Sequence, residues 1–228
     1  MPLMTRTTRL LAPLALLAVT GCFKLSRNAP PVQHYVLSGA RTPVATSSPD
    51  TGGLSLGIRR TDLAPYLSTP SIVLRRGTHV ISTSAFHRWG EDVGAGINYT
   101  VAAHLSNVSP VQHVNVAPWA ARSHHDYLVQ LHVQRFEGVA DSAATTAGVH
   151  VLTSWDIIRP LDGALLVRGT TDYRDGSFPV GDYEALVGQL NTALERVAGD
   201  IRSCLARFRS DSSPPPSCSP RMPADSPH

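Results

Sequence analysis

Arg59-Arg60 and Arg75-Arg76 close two short apolar runs, LSLGIRR at 54–60 and SIVLRR at 71–76. Guanidinium pairs at the ends of two successive strands would collect on one edge and suit an acidic partner surface or phosphate head groups. The plainer reading is two solvated strand ends. Other chemistry is sparse. Of ten histidines, the densest group is His124-His125 with His132. Zinc needs three or four converging ligands, and neighbours along a strand point to opposite faces, so this group reads as a solvated loop before a strand. No H-E-x-x-H, Walker or dinucleotide pattern occurs, and the G-x-S-x-G string Gly53-Leu54-Ser55-Leu56-Gly57 falls in a strand pattern and forms no strand-to-helix nucleophile elbow. Ser82 and Ser84 read as strand polarity. Glu91-Asp92 falls near a helix start, where acids complement the macrodipole. No catalytic centre, resident metal or cofactor is expected.

Cys22 is the exception. It stands at the end of LLAVTGCF (16–23), directly behind an apolar run of eleven residues, Leu10 to Thr20, which follows MPLMTRTTR with its two arginines and no acid. The run is shorter than the roughly 20 residues that span a bilayer and matches the apolar region of a secretory signal, about 7–15 residues. Val19-Thr20-Gly21-Cys22 resembles a bacterial lipobox. There the thiol accepts a diacylglycerol in thioether linkage, the chain is cut before it, and the new amine can be acylated. Each buried methylene adds about 0.8 kcal/mol of membrane affinity, so two or three acyl chains anchor stably. Phe23 would be the second mature residue. By analogy with enterobacteria, where an Asp there favours inner-membrane retention, it points to the outer membrane.

Losing residues 1–21 removes Arg6 and Arg9 and no acid, which lowers the formal charge from +3 to +1. With no basic run interleaved with aromatics, nucleic-acid binding is not expected. About 200 residues remain, enough for one domain with its own core, and no second stretch is apolar enough to cross a bilayer. In an oxidising periplasm Cys204 and Cys218 have two states open to them: a disulfide stapling the tail to the helix before it, or two thiols.

The elements that must position these residues alternate between periods of two and of three to four. Residues 24–31 read as a tether and VQHYVL (32–37) as a first strand. A Gly/Pro/Ser/Thr connector (41–53) leads to the strand at 54–60, a Pro-bounded turn (64–70), and a hairpin over 71–86. From Trp89 through Val93, Ile97, Val101, Leu105 and Val108 the spacing predicts an amphipathic helix of about five turns. Gly90, Gly94 and Gly96 there imply an irregular first half or a close-packed backbone. VQHVNV (111–116) alternates, as does YLVQLHVQRF (127–136), whose Gln130, His132 and Gln134 should face water or a partner chain. VHVLTSWDII (149–158) and ALLVRGTTDYR (164–174) flank Asp162-Gly163, a hairpin signal. Tyr183, Leu186, Leu190, Leu194, Val197, Ile201 and Leu205 predict a helix of six turns capped by Asp182. Trp89 and Trp155 read as core anchors. The tail after Phe208 is Pro/Ser-rich and should be disordered or extended. The plan is α+β: a mixed, largely antiparallel sheet with two main helices packed on one face. The boundaries are a signal at 1–21, a lipidated N-terminus and tether at 22–31, a domain at 32–208 and a tail at 209–228.

Segments LGIRRTDLAPYLSTPSIVLRRG (56–77) and FHRWGEDVGAGINYTVAAHL (86–105) resemble the ABC-type transport auxiliary lipoprotein family, the PqiC-like group. The resemblance rests on Pro65-Tyr66-Leu67, Pro70, Ile72-Val73, Arg75, Phe86 and Trp89, with His34-Tyr35-Val36-Leu37 similar to the family's tyrosine-rich first strand. It spans about 32 to 206. Gly90 and Asp92 depart from the family pattern at the helix start, and the tail has no counterpart.

That resemblance implies a non-catalytic accessory subunit of an intermembrane lipid transport system. Such a subunit is a periplasm-facing lipoprotein that assembles as a homo-oligomer and docks on an MCE-domain protein served by an ABC permease and ATPase. Cys22 would hold the domain at the membrane, and the sheet would supply contacts. Two other readings stand beside it: an envelope lipoprotein carrying one hydrophobic ligand between sheet and helices, and a purely structural envelope lipoprotein.

Overall fold

The structure, a computed structural model, describes residues 30–37, 52–106, 108–120, 122–140, 144–210 and 218. Cys22, the signal at 1–21, most of the tether and, of the tail, all but Arg209, Ser210 and Cys218 lie outside the described residues. Val32–His228 is one compact unit.

The strands are β1 (Gln33–Tyr35), β2 (Leu54–Ile58), β3 (Asp62–Leu63), β4 (Ser71–Arg76), β5 (Val80–Trp89), β6 (Val111–Val116), β7 (Tyr127–Ala140), β8 (Thr146–Ile158) and β9 (Leu165–Pro179). Helix α1 is Val93–Leu105 and α2 is Tyr183–Ser210, with a 3-10 turn at Pro65–Leu67. The fold is α+β around a mixed sheet. Its long ladders, β4·β5, β7·β8 and β8·β9, are antiparallel. One edge of β7 is covered by β8 along almost its whole length. The other edge takes three short parallel strands in tandem: β2 at 127–129, β3 at 132–133 and β4 at 138–140. β6 extends the sheet beyond β2, and β5 and then β1 extend it beyond β4.

Alternation decides which residues enter the core. Ile58 is paired with Val129, and together with Leu131, Val133, Val151, Trp155 and Ile157 it turns a continuous apolar layer inward. A register shift between Val133 and Arg135 then hands the inward place to Phe136. Onto this layer α2 sets Leu186, Leu190, Leu194, Val197, Ile201 and Leu205, all at most 1% exposed. Each such side chain contributes on the order of 1.5–3 kcal/mol relative to leaving it in water. Asp182 caps α2 by accepting from the Ala185 amide at 2.9 Å. A polar relay also ties helix to sheet. Trp155 Nε1 donates to Thr171 Oγ1 at 3.3 Å, Thr171 donates to Asp200 Oδ2 at 2.8 Å, and Arg196 pairs with Asp200.

The first helix differs from its sequence expectation. Trp89 ends β5, opposite Tyr35 of β1 and with its amide bonded to the Pro70 carbonyl at 2.7 Å. The helix begins at Val93, has 13 residues, and is capped by Asp92, which accepts from Ala95 N at 2.8 Å. Gly90 precedes it. The crowding comes from side chains, those of Asp92 and Leu63 at Gly94 and of Glu91 and Leu37 at Gly96, and both glycines lie within the helix. β3, β9 beyond residue 174 and β7 beyond 136 extend past the alternating patterns that predicted strands.

Candidate interaction surface on the outer sheet face

The face of β7–β8–β9 turned away from the helices carries every second residue of those strands. On it Gln130 stands opposite Asp156, His132 opposite Ser154 and Glu137 opposite His150. On β9, Arg168, Thr170, Asp172 and Arg174 pair with Asp156, Ser154, Leu152 and His150. Three ionic clusters and one neutral pair result.

In the first, His132 sits between two carboxylates. Its Nδ1 is 3.0 Å from Asp62 Oδ2 of β3, and its Nε2 is 3.2 Å from Asp156 Oδ2. Asp156 is clamped on its other side by Arg168 through Nε (2.6 Å) and Nη2 (2.8 Å). The Arg168 hydrogen bonds hold the Asp156 carboxyl below the usual aspartate range, against the opposing effect of burial. In the second cluster, Glu137 is fully buried and receives Arg75 Nε at 2.5 Å, Arg75 Nη2 at 3.2 Å and Arg135 Nη1 at 3.3 Å. The Arg75 guanidinium also lies over the Tyr66 ring, 5.7 Å from its centroid, and Tyr66 donates to the Gln134 carbonyl at 3.0 Å. Burial and then the neighbouring Glu137 push the Tyr66 hydroxyl up. In the third, His150 Nε2 meets Asp172 Oδ1 at 2.9 Å, and Asp172 also pairs with Arg174. Burial and then Arg174 push the His150 ring down, so its bond to Asp172 is that of a neutral imidazole donating from Nε2. Gln134 Nε2 donates to Ser154 Oγ at 2.7 Å between the clusters.

Four arginines therefore face four carboxylates on this surface. A charge-balanced lattice gives no excess field to attract nucleic acid or anionic lipid, but it holds donors and acceptors in fixed places. Among the described residues no group of three or more metal-ligating side chains converges. His124 is exposed, His125 packs edge-on against Trp119 and contacts Asn115 at 3.2 Å, and His132 belongs to the sheet lattice.

The arginine pairs do not gather on one edge. The Arg59 amide bonds to the Val129 carbonyl at the start of β7, whereas Arg76 is registered with Ala140 at its end. Eleven positions along the strand at about 3.3 Å each put them roughly 35 Å apart. β2 and β4 occupy successive stretches of the same β7 edge, so their C-termini cannot meet. Arg75 is in addition withdrawn into the Glu137 cluster. Arg59 and Arg60 are exposed and Arg76 is half-buried. Cys204 and Cys218 are joined by a disulfide, with Cα atoms 5.5 Å apart. Glu91 and Asp92 serve structure: Glu91 accepts from the Leu37 amide, and Asp92 caps α1. Trp89 and Trp155 lie in the core. Asp62, Glu137, Asp156, Arg168, Asp172 and Arg174 were not singled out from sequence. The period-two polarity of Arg168-x-Thr170-x-Asp172-x-Arg174 is the signal that identifies the three on β9.

No helix among the described residues is long and apolar enough to cross a membrane. Among curated proteins no significant match is found. A Xanthomonas campestris protein of solved structure is similar to this chain, with TM-score 0.57 and 15% identity over 70% of this chain and 88% of that one. So is a chain described only as an uncharacterized protein, with TM-score 0.54 and 15% identity over 76% and 97%. A PelC dodecamer from Paraburkholderia phytofirmans matches more distantly, with TM-score 0.36 and 16% identity over 64% and 87%. The family model for the ABC-type transport auxiliary lipoprotein component matches residues 35–202, from β1 through most of α2, and the chain belongs to that family.

Proposed function

We propose that this protein is a non-catalytic, lipid-anchored accessory subunit of an ABC/MCE-type intermembrane lipid transport system. Residues 1–21 are its signal, acyl chains on Cys22 hold it to the outer membrane facing the periplasm, and residues 24–31 set its reach. The folded unit works as a homo-oligomer that docks on an MCE-domain protein, itself served by an ABC permease and ATPase. The tail beyond 208 contributes its Cys218 staple. The observation that supports docking is the outer sheet face. Its charges are already paired before any partner arrives, which lowers the ordering cost of association and leaves pattern rather than net charge to select the partner.

The test is to extract the full-length tagged protein from membranes in mild detergent, beside a Cys22→Ala control, and to identify what co-purifies by mass spectrometry. Recovery of an MCE-domain protein, lost in an Arg168→Glu/Arg174→Glu variant that keeps its melting temperature within a few degrees, supports the reading. A monomer with stoichiometric lipid beyond its own acyl groups, and no protein partner, would instead make it an envelope lipoprotein carrying a single hydrophobic ligand.

A further inference from the structure

The chain enters the folded unit at β1, and β1 is an edge strand. It pairs with β5 alone, Gln33 with His87, His34 with Arg88 and Tyr35 with Trp89. Alternation sends Gln33, Tyr35, His87 and Trp89 to one face. There the Tyr35 hydroxyl lies 3.0 Å from His87 Nδ1, the His87 ring stacks on Tyr183 of α2 with centroids 4.0 Å apart, and Trp89 joins the core. The opposite face of the same two strands carries His34 and Arg88, with Val32 and Val36 flanking β1 and Phe86 on β5. Gly90 belongs to it too, since a Cβ there would meet Val36 Cγ1 at 3.4 Å and His34 Cβ at 3.5 Å.

This second face is apolar and open. Val32 is 44% exposed, Val36 50% and Phe86 38%, and His34 and Arg88 beside them are exposed as well. Its charge differs from that of the β7–β9 lattice. Neither 30–36 nor 77–90 contains an acid, and among the described residues no ion pair holds Arg88. Two valines and a phenylalanine around a guanidinium that has no carboxylate suit a surface that is apolar beneath and carries phosphate above, which is the chemistry of a lipid interface.

The position of the anchor argues for that occupant. Residues 23–31 separate Cys22 from Val32, so ten Cα steps of about 3.3–3.6 Å hold the patch within roughly 35 Å of the acylated residue. Val32, the first residue of the patch, is also the first of the folded unit. Tethering at that reach gives the membrane a high local concentration, so a small patch suffices. The patch and the paired-charge lattice do not compete. β1, β5, β4, β7 and β8 are successive neighbours, and four steps of about 20–25° of twist turn the sheet by roughly 90° between β1 and β8.

We propose that the Val32–Val36–Phe86 face of β1 and β5 rests on the bilayer that holds Cys22, with the three apolar side chains at the acyl boundary and Arg88 on lipid phosphate. Such a contact fixes which way the anchored domain faces and leaves the β7–β9 lattice to a protein partner. It rests on the lipid anchor proposed above.

The test uses the full-length protein, purified from membranes and reconstituted into vesicles of phosphatidylethanolamine and phosphatidylglycerol. A fluorophore is placed on His34→Cys or, as control, on Glu195→Cys, an exposed position of α2 on the other side of the sheet. Quenching by lipid with a nitroxide near its head group reads the contact, and intact mass reads acylation of Cys22 in the same samples. The expected result is acylated protein, strong quenching at 34 and little at 195, and a contact at least about tenfold weaker in Val32→Ser/Phe86→Ser at unchanged melting temperature. Arg88→Gln should weaken the contact and reduce its dependence on salt. Acylated protein quenched equally at 34 and 195 overturns the contact and leaves the anchor standing. Unacylated protein overturns the anchor, and the contact with it. A photo-cross-link from position 34 to another protein in native membranes, without quenching, overturns the contact by assigning the patch to a protein partner.

Discussion

Glu137 is a carboxylate without solvent contact, and it is tolerable only because Arg75 and Arg135 reach it. Arg75→Ala would leave that charge with the weaker of its two partners. We expect a loss of about 3 kcal/mol in chemical denaturation, whereas Arg59→Ala and Arg60→Ala, on exposed chain, should stay within about 0.5 kcal/mol. The two arginine doublets thus differ in kind, a distinction that strand-end position in the sequence does not carry. The neighbouring clusters respond to acid. His150 has a folded pKa below its ordinary value and Asp156 likewise, so in each case the unfolded chain binds the proton more readily. Stability is then fully present at pH above about 6.5 for the histidine and above about 3.9 for the aspartate. It falls as pH drops through each lowered folded value. Melting temperature should decline from pH 7 to pH 5, and His150→Gln should flatten that limb while leaving the decline below pH 4. An unchanged slope in His150→Gln would assign the pH 5–7 limb to another group.

At the scale of elements, β7 organises the sheet by being 14 residues long, enough for three short strands to queue along one edge. Period-two patterning made β2, β6 and β7 legible in the sequence, and turn signals did so for β4 and the β8–β9 hairpin, since both kinds of signal are local. The parallel pairings were not legible, because they join segments up to about 70 residues apart and local pattern carries no pairing information. Trp89 fitted a helical spacing with Val93 and Ile97, yet the open edge of β5 and the Pro70 carbonyl take it into the sheet, and Asp92 then starts the helix. Tertiary hydrogen bonding outweighed a periodicity that was genuine from Val93 onward. Packing between strands is equally specific. Gly169 faces Trp155 across β8·β9, and a Cβ there would overlap the indole. Gly169→Ala should cost about 1–3 kcal/mol by overpacking and shift the tryptophan fluorescence maximum, which a surface change on β9 such as Thr170→Ala would not do.

For the whole molecule, the Cys204–Cys218 disulfide closes a loop over 14 positions from the buried end of α2. Chain-entropy arguments assign such a loop about 3 kcal/mol, so Cys204→Ser/Cys218→Ser should unfold at correspondingly lower denaturant with an unchanged slope. A steeper or shallower slope would mean that the reduced tail alters the compactness of one state. The open sheet face carries a lattice of paired charges, which suits a partner of matching pattern.

By itself the sequence determined the things that depend on neighbours along the chain: the two helices, most strands, and the family resemblance that the match over 35–202 bears out. Only the tertiary structure decided which polar side chains act together. Asp62, His132, Asp156 and Arg168 come from four strands, and Arg75 and Glu137 are 62 positions apart. Coulombic and hydrogen-bonding partners are chosen by distance in space, and in a sheet with parallel connections that distance has no counterpart in sequence separation.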